Sequence, residues 1–348
     1  QTTSAAAVIW CGGNDLRYGN SDPSCQVGGT PITYETIYQG DGTGVGNPQP
    51  LMDSIKASIQ AAAQHLRTAR PSLPIVVCAV PHIGCSPAVQ ADAPTDAVRT
   101  ERVTTALRTL NDSLRTWTKS TLGGVWVDTF SLTEDLIGAN TLVYGGVSFV
   151  NGSDVKLATD PPAAHNRYLF SHDGFHPGTT LHAFVAQRVQ TALRSHAPAV
   201  FGSSPVLTDR EVIVDVLGIP AATGFNEFMA ASGAPPDQRG PGDDADGDGL
   251  NNLSEFSLDG NTAYPAGPVV LPTGGYDASG NAVTLTWKPR YENDIYATIL
   301  CQSSSDFTTW TDVPAALITT AADGTKTARV PVTDDTRQFL RLKFTAAP

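Results

Sequence analysis

The residues best suited to chemistry form one short stretch, Asp173-Gly174-Phe175-His176-Pro177. A carboxylate three residues ahead of a histidine can fix and polarise the imidazole. That is the base half of an acyl-transfer apparatus, which also needs a nucleophile and a donor for the oxyanion. The sharpest other local motif lies in the second half of the chain. Asp244, Asp246, Asp248, Gly249, Asn252 and Glu255 fall at positions 1, 3, 5, 6, 9 and 12 of an EF-hand-type loop, and Leu250 at position 7 would offer its carbonyl. Carboxylates on alternate residues converge on a hard cation, glycine permits the sharp turn, and Glu255 closes the shell, so Ca2+ is the expected ion in a structural role.

Elements of two kinds must position these groups. Residues 5–10 and 75–80 and the run 124–128 read as short buried strands. Between and after them lie helical stripes over about 51–69 (Met52, Ile55, Ile59, Ala62, Leu66), 96–118 (Val103, Leu107, Leu110, Leu114, Trp117) and 178–195 (Leu181, Val185, Val189, Ala192). Alternating strands and helices imply an α/β fold with a parallel sheet covered by helices, whose reactive groups gather at the carboxyl ends of the strands. Gly12-Gly13-Asn14-Asp15 and the loop holding His82, Cys85 and Ser86 would both lie there. Residues 16–50, rich in Gly, Pro, Ser, Asp and Asn, read as a long surface loop, and 142–150 as a strand pair.

After residue 200 the pattern changes. Thr208-Asp209-Arg210-Glu211 fits a capping box and starts a short helix, although Val212, Ile213, Val214 and Val216 would equally suit a strand. A further helix is expected at about 224–232. From about 265 onward, β-rich runs such as 283–287, 296–300, 328–332 and 339–344 predict a small C-terminal antiparallel β-sandwich. The expected domains are 1–200, a linker with the cation loop at 201–262, and the sandwich at 263–348.

Composition excludes some classes. A net charge of −12 with no basic run argues against a nucleic-acid partner. No apolar run approaches the ~20 residues that span a bilayer. Only 16% of residues are charged, and 32 Gly with 25 Pro point to a loop-rich exported protein. The chain starts at Gln1, which reads as a processed form or a fragment. Among its five cysteines, Cys11/Cys25 and Cys78/Cys85 are close enough to close small disulfide loops and leave Cys301 over; five reduced cysteines are the alternative.

Taken together on this architecture, Gly12-x-Asn14-Asp15 and Asp173-x-x-His176 resemble the third and fifth conserved blocks of the SGNH (GDSL) hydrolase superfamily of esterases and lipases, over about residues 5–196. The resemblance implies a three-layer parallel-sheet domain and carboxylic ester hydrolysis of small acyl or carbohydrate-linked substrates. It assigns His176 as general base, Asp173 as its orienting carboxylate, Gly12 to the conserved turn and Asn14 as an oxyanion donor through its side-chain amide. No cofactor takes part in that chemistry. The family's first two blocks, which carry the nucleophilic serine and a glycine of the oxyanion hole, have no counterpart in the eleven residues before Gly12, so the sheet is N-terminally incomplete. Three readings stay open: a serine on a longer protein, another nucleophile (Ser24, Ser86 or water activated by His176), or a non-catalytic binding or adhesion protein on the same scaffold. An incomplete sheet would expose the strand at 5–10 as an apolar edge, which invites a homodimer. His82, His165, His172 and His182 are further candidates for the cleft. The acidic loop and β module resemble C-terminal appendages of exported bacterial proteins, and the resemblance implies a chain that is secreted or held at the cell surface. Trp287, Tyr291 and Trp310 there could stack on sugars or fill the core.

Overall fold

The computed structural model describes residues 5–40, 44, 46–94, 96–153, 166–258, 271–291, 294–332 and 337–347. It is mixed α/β, with one three-stranded parallel sheet and separate antiparallel sheets. Contacts divide it into two units: residues 1–142 with 149–218, and residues 143–148 with 219–348.

In the first unit, strands β1 (Ala7–Ile9), β2 (Ile75–Cys78) and β3 (Val125–Val127) pair in parallel in that order, with Ala7 opposite Ile75 and Val76 opposite Val125. The middle strand is fully buried because both faces are covered. Ile75, Val77 and Ala79 join a core with Met52, Ile55 and Ile59 of α1 (Gln49–Ala69) and Val103, Leu107, Leu110 and Leu114 of α2 (Ala97–Trp117). The alternate residues Val76 and Cys78 pack with Val125, Val127 and Leu193, the last from α3 (Thr179–His196). Period two in the strand thus meets period 3.6 in the helices on both sides. β1 is the outer strand, and Val8 is 52% exposed on it.

Local signals set the helix ends. Asp96 caps α2 by accepting from the Arg99 N–H, and α1 stops at Arg70 ahead of Pro71. Asn111, buried on α2, ties the helix to the end of β2: its Oδ1 accepts from the Val80 N–H at 2.8 Å and its Nδ2 donates to the Val80 carbonyl at 3.0 Å. Asn111→Leu leaves both backbone groups buried without partners and is expected to cost about 2–4 kcal/mol of stability, read from urea unfolding at fixed pH. A loss below ~1 kcal/mol would show that water replaces the amide.

Residues 16–40 are not the surface loop that their composition implies. They form helices Gly13–Tyr18 and Tyr34–Gln39 and a two-residue ladder, and they bury Leu16, Cys25, Ile32, Tyr34, Ile37 and Tyr38. The second helix begins in a reciprocal box between Thr33 and Thr36, a threonine variant of the usual Ser/Thr–Glu pattern. The hairpin expected near 142–150 is present as strands Thr141–Tyr144 and Val147–Val150, joined by Gly145-Gly146 with positive φ at both. At 208–216 the helical alternative holds: the Thr208 N–H and hydroxyl donate to the Glu211 carboxylate, and the Glu211 N–H returns to the Thr208 hydroxyl. All five cysteines are free, so neither small disulfide loop forms.

The second unit has a four-stranded antiparallel sheet, in the order Ile318–Thr320, Lys326–Pro331, Ala282–Trp287, Thr273–Asp277. A three-stranded sheet is ordered Thr311–Asp312, Ala297–Ser304, Phe339–Ala346. Leu285, Trp287 and Ala328 of the first meet Cys301 of the second in one core. A neighbouring cluster of Phe225, Met229, Leu253 and Phe256 joins helices Thr223–Ser232 and Asn252–Ser257 to Ala297, so the 244–255 loop and the strands share a unit. Among the described residues, no helix is long and apolar enough to cross a membrane.

Candidate active site

The loop after Phe170 folds around Asp173. The Ser171 N–H donates to the His176 carbonyl at 2.8 Å, and Phe170 bridges Pro177, which closes the loop. Gly174 at φ 69° makes the turn between acid and base, and its carbonyl accepts from the Ala88 N–H at 3.0 Å.

Within this loop the two carboxylate oxygens of Asp173 have different partners. Oδ1 accepts from the Ser171 hydroxyl at 2.7 Å and from the N–H groups of Phe175 at 2.9 Å and His176 at 3.0 Å. Oδ2 lies 2.6 Å from His176 Nδ1. Desolvation pushes the Asp173 pKa up, but the hydrogen bonds from His176, Ser171 and the two backbone donors outweigh it and hold the carboxyl well below the usual carboxylate range. An ionised Oδ2 accepts a proton-bearing Nδ1, so neutral His176 carries its hydrogen there and presents Nε2 as a base. The imidazole is 56% exposed, open to a reactant, and stands edge-on to Phe175 at 5.0 Å.

The second stretch reaches the same place from the end of β1. Gly12 adopts φ 102°, and a Cβ there would sit 3.0 Å from Val80 Cγ1 and 3.2 Å from Ile55 Cγ2, so conformation and space both demand glycine. That turn starts helix Gly13–Tyr18 and leaves Asn14 exposed, its amide without a partner among the described residues. A cavity of about 350 Å3 is lined by Trp10, Gly12, Asn14, Phe175, His176 and His182, among others. The structure therefore brings three of the four expected catalytic residues, Gly12, Asn14 and His176, to one pocket at the carboxyl ends of β1 and β2, with Asp173 behind the histidine.

The other candidates separate. His82 is fully buried; its Nδ1 accepts from the Gly84 N–H, so Nε2 donates to the Thr104 hydroxyl at 3.0 Å, which itself donates to the Thr100 carbonyl. Burial, reinforced by the Arg108 charge, lowers its pKa to about 4, so it is a neutral structural group. His182 lines the pocket, with Nδ1 held by the Gly178 carbonyl at 2.9 Å and its ring edge-on to Trp10. His172 is exposed outside the pocket lining, and His165 lies outside the described residues.

Neither serine candidate is presented to a substrate. Ser86 lines the pocket but is 1% exposed, with its hydroxyl donated to the Ile83 carbonyl at 2.8 Å. Ser24 lies outside the lining and donates to Asp22. The thiols of Cys11 and Cys85 border the pocket, but burial raises both pKa values, Cys85 to about 12, and Asp15 adds to the effect at Cys11. Neither is a thiolate at neutral pH. Ser171 joins the site without belonging to the Asp173-x-x-His176 motif, although a serine two residues before an aspartate is a local signal for a side-chain-held turn.

In the 244–255 loop, ligand atoms of the Asp244, Asp246 and Asp248 carboxylates lie within 4.8 Å of one another. Gly247 and Gly249 take positive φ, and their N–H groups donate to Asp244. The Leu250 N–H donates to Asp248 Oδ1. Asn252 is fully buried, and its amide is engaged with backbone: Nδ2 donates to the Gln238 and Gly240 carbonyls and Oδ1 accepts from the Ala245 N–H. It ties the loop closed. Glu255 is buried in helix Asn252–Ser257 and is not part of the three-carboxylate cluster. Of the three aromatics, Trp287 and Tyr291 line a separate cavity, whereas Trp310 is covered by Arg341 at 4.1 Å.

No family model, curated protein or solved structure matches the chain, and the functional reading rests on the geometry of Asp173, His176, Gly12 and Asn14.

Proposed function

We propose that the first unit is a carboxylic ester hydrolase of the SGNH type, with the three-layer arrangement that resemblance implies and the second unit's sheets as an appended sandwich. One observation carries the reading: an Asp173-held His176 with free Nε2 and an unpartnered Asn14 amide line the same pocket. His176 Nε2 takes the proton from the attacking hydroxyl as its oxygen bonds to the ester carbonyl carbon, and the Asn14 amide donates to the developing oxyanion. The tetrahedral adduct collapses, the C–O bond to the alcohol breaks, and the imidazolium returns its proton to the leaving alkoxide. Asp173 stabilises the imidazolium between the two transfers.

The attacking oxygen belongs to water in the pocket, which gives acid and alcohol in one round, or to a serine brought to it, whose acyl ester water then cleaves in a second round with His176 again as base. A fluorophosphonate probe followed by peptide mapping separates the two: a labelled serine identifies the nucleophile, and turnover without labelling assigns water. The alternative, a non-catalytic exported binding protein, is favoured by one observation, the absence of an exposed serine from the described pocket lining. Failure of the chain to hydrolyse a short-chain p-nitrophenyl ester above the buffer rate would select it.

The second unit is assigned a structural Ca2+ in the 244–255 loop, held by Asp244, Asp246 and Asp248 and the Leu250 carbonyl, without the Asn252 and Glu255 side chains that the loop pattern would add. The convergence of three carboxylates over two positive-φ glycines fits a hard cation. Calcium at about 100 times its Kd is expected to stabilise the chain by ~2–3 kcal/mol, reversed by chelator. Calorimetry on wild type and on Asp244→Asn/Asp248→Asn reads it; a melting temperature indifferent to Ca2+ in the wild type sinks the assignment.

A further inference from the structure

The carboxylate that directs the base is not held by packing. Asp173 is 40% exposed and His176 56%, so water competes for both ends of the 2.6 Å contact between Oδ2 and Nδ1. Something other than burial must keep Oδ2 aimed at the ring.

Two of the three donors on Oδ1 come with the turn. An aspartate that opens such a turn accepts from the N–H groups two and three residues on, here Phe175 at 2.9 Å and His176 at 3.0 Å, whatever those side chains are. Both donors lie on the downstream side. A carboxylate held from one side alone can pivot about Oδ1 and swing Oδ2 away from the imidazole. The third donor, the Ser171 hydroxyl at 2.7 Å, reaches Oδ1 from the upstream side and stops that pivot.

Ser171 is itself fixed to the rest of the loop. Its N–H donates to the His176 carbonyl at 2.8 Å, and its carbonyl accepts from the Gly174 N–H at 2.9 Å. One half-buried residue thus holds the acid by its side chain and the base by its backbone. Desolvation raises the Asp173 pKa, and among the groups that lower it the Ser171 hydroxyl follows only His176.

We propose that Ser171 is a positioning residue for the base: its hydroxyl locks Asp173 so that Oδ2 keeps the proton of His176 on Nδ1 and leaves Nε2 free. Ser171 lies outside the pocket lining and acts through Asp173. The kinetic consequence rests on the ester reading of the site; the state of the ring does not.

The test compares wild type, Ser171→Ala and Ser171→Thr by nitrogen NMR of the His176 ring at about pH 8, above the usual imidazole range, and by p-nitrophenyl acetate kinetics. In the wild type the ring is expected as the Nδ1–H form alone. In Ser171→Ala the Nε2–H form is expected to appear, with kcat down about tenfold, the worth of one hydrogen bond, and KM unchanged. Ser171→Thr keeps the hydroxyl and is expected to restore both. If Ser171→Ala does not fold, Ser171→Cys, a weaker donor of similar shape, takes its place. A folded variant whose ring stays wholly Nδ1–H and whose kcat stays within about twofold of wild type overturns the proposal even if it is less stable, because a merely structural serine would move stability alone. A Ser171→Thr variant as impaired as Ser171→Ala overturns it too. If the wild type hydrolyses no ester while Ser171→Ala still changes the ring, the ester reading falls and the positioning role stands; ester turnover with ring and rate unchanged in Ser171→Ala does the reverse.

Discussion

His176→Ala is expected to lower kcat for a short-chain p-nitrophenyl ester by about 10²–10⁴-fold, the usual contribution of a positioned general base, with KM little changed. The reason is the division of labour on Asp173. Its Oδ1 is occupied by Ser171 and two backbone N–H groups, so only Oδ2 faces the imidazole, and the imidazole is held in one tautomer. Asp173→Asn should therefore fall nearly as far, because an amide nitrogen at the Oδ2 position would favour the opposite tautomer and remove Nε2 as a base. Asn14→Ala removes a donor to the oxyanion and not the base, so its expected loss of ~10²–10³-fold falls on kcat with the pH profile intact. Wild-type turnover that survives His176→Ala would overturn the assignment of the base.

The second large effect is on stability. Between pH 6.5 and 4 the protein is expected to lose up to ~3 kcal/mol through His82 alone. Burial, with the Arg108 charge, depresses the folded-state pKa to about 4, below the unfolded value of about 6.5. In that window the unfolded chain binds the proton and the folded chain does not. Stability therefore rises with pH from about 4 to 6.5, is fully present above the unfolded pKa, and falls no further from this source below about 4. The neighbours agree with a neutral ring: Nδ1 accepts from Gly84, Nε2 donates to Thr104, and Tyr34 and Phe130 pack against it. Urea unfolding at half-unit pH steps measures the slope. His82→Gln is less stable at every pH but should show a flatter slope; an unchanged slope would mean that other groups carry the acid sensitivity.

Much of the scaffold was legible because its signals are local. The stripe Met52, Ile55, Ile59 is the buried face of α1, and Val103, Leu107, Leu110, Leu114 that of α2. The Thr208–Glu211 box settles a segment whose β-branched residues argued for a strand, because a reciprocal cap satisfies backbone groups at the helix start and outweighs a weak propensity. Residues 16–40 were not legible. Their helices are one or two turns long, too short for a period to show, and they are ordered by tertiary burial of Leu16, Ile37 and Tyr38. The cysteines show the same limit: proximity in sequence says nothing of the geometry a disulfide requires.

For the site, the division follows sequence separation. The sequence by itself determined the Asp173–His176 pair, because residues three apart in a turn meet whatever else the chain does. It likewise placed three alternating aspartates around one point, because the glycines among them force the bend. Only the tertiary structure decided that Gly12 and Asn14, from the other end of the first unit, share a pocket with that histidine: β1 lies beside β2 in a parallel sheet, and the His176 loop is tied to the segment after β2 by the Ala88 N–H donating to the Gly174 carbonyl. Only it withdrew Ser86 from reach and tied Asn252 to the backbone, since both outcomes depend on which carbonyls and N–H groups packing leaves nearby. And only packing left Trp287 Nε1 and Asp294 Oδ2 buried without partners, because hydrogen-bond partners are assigned by the closing of sheets and loops and not by residue type.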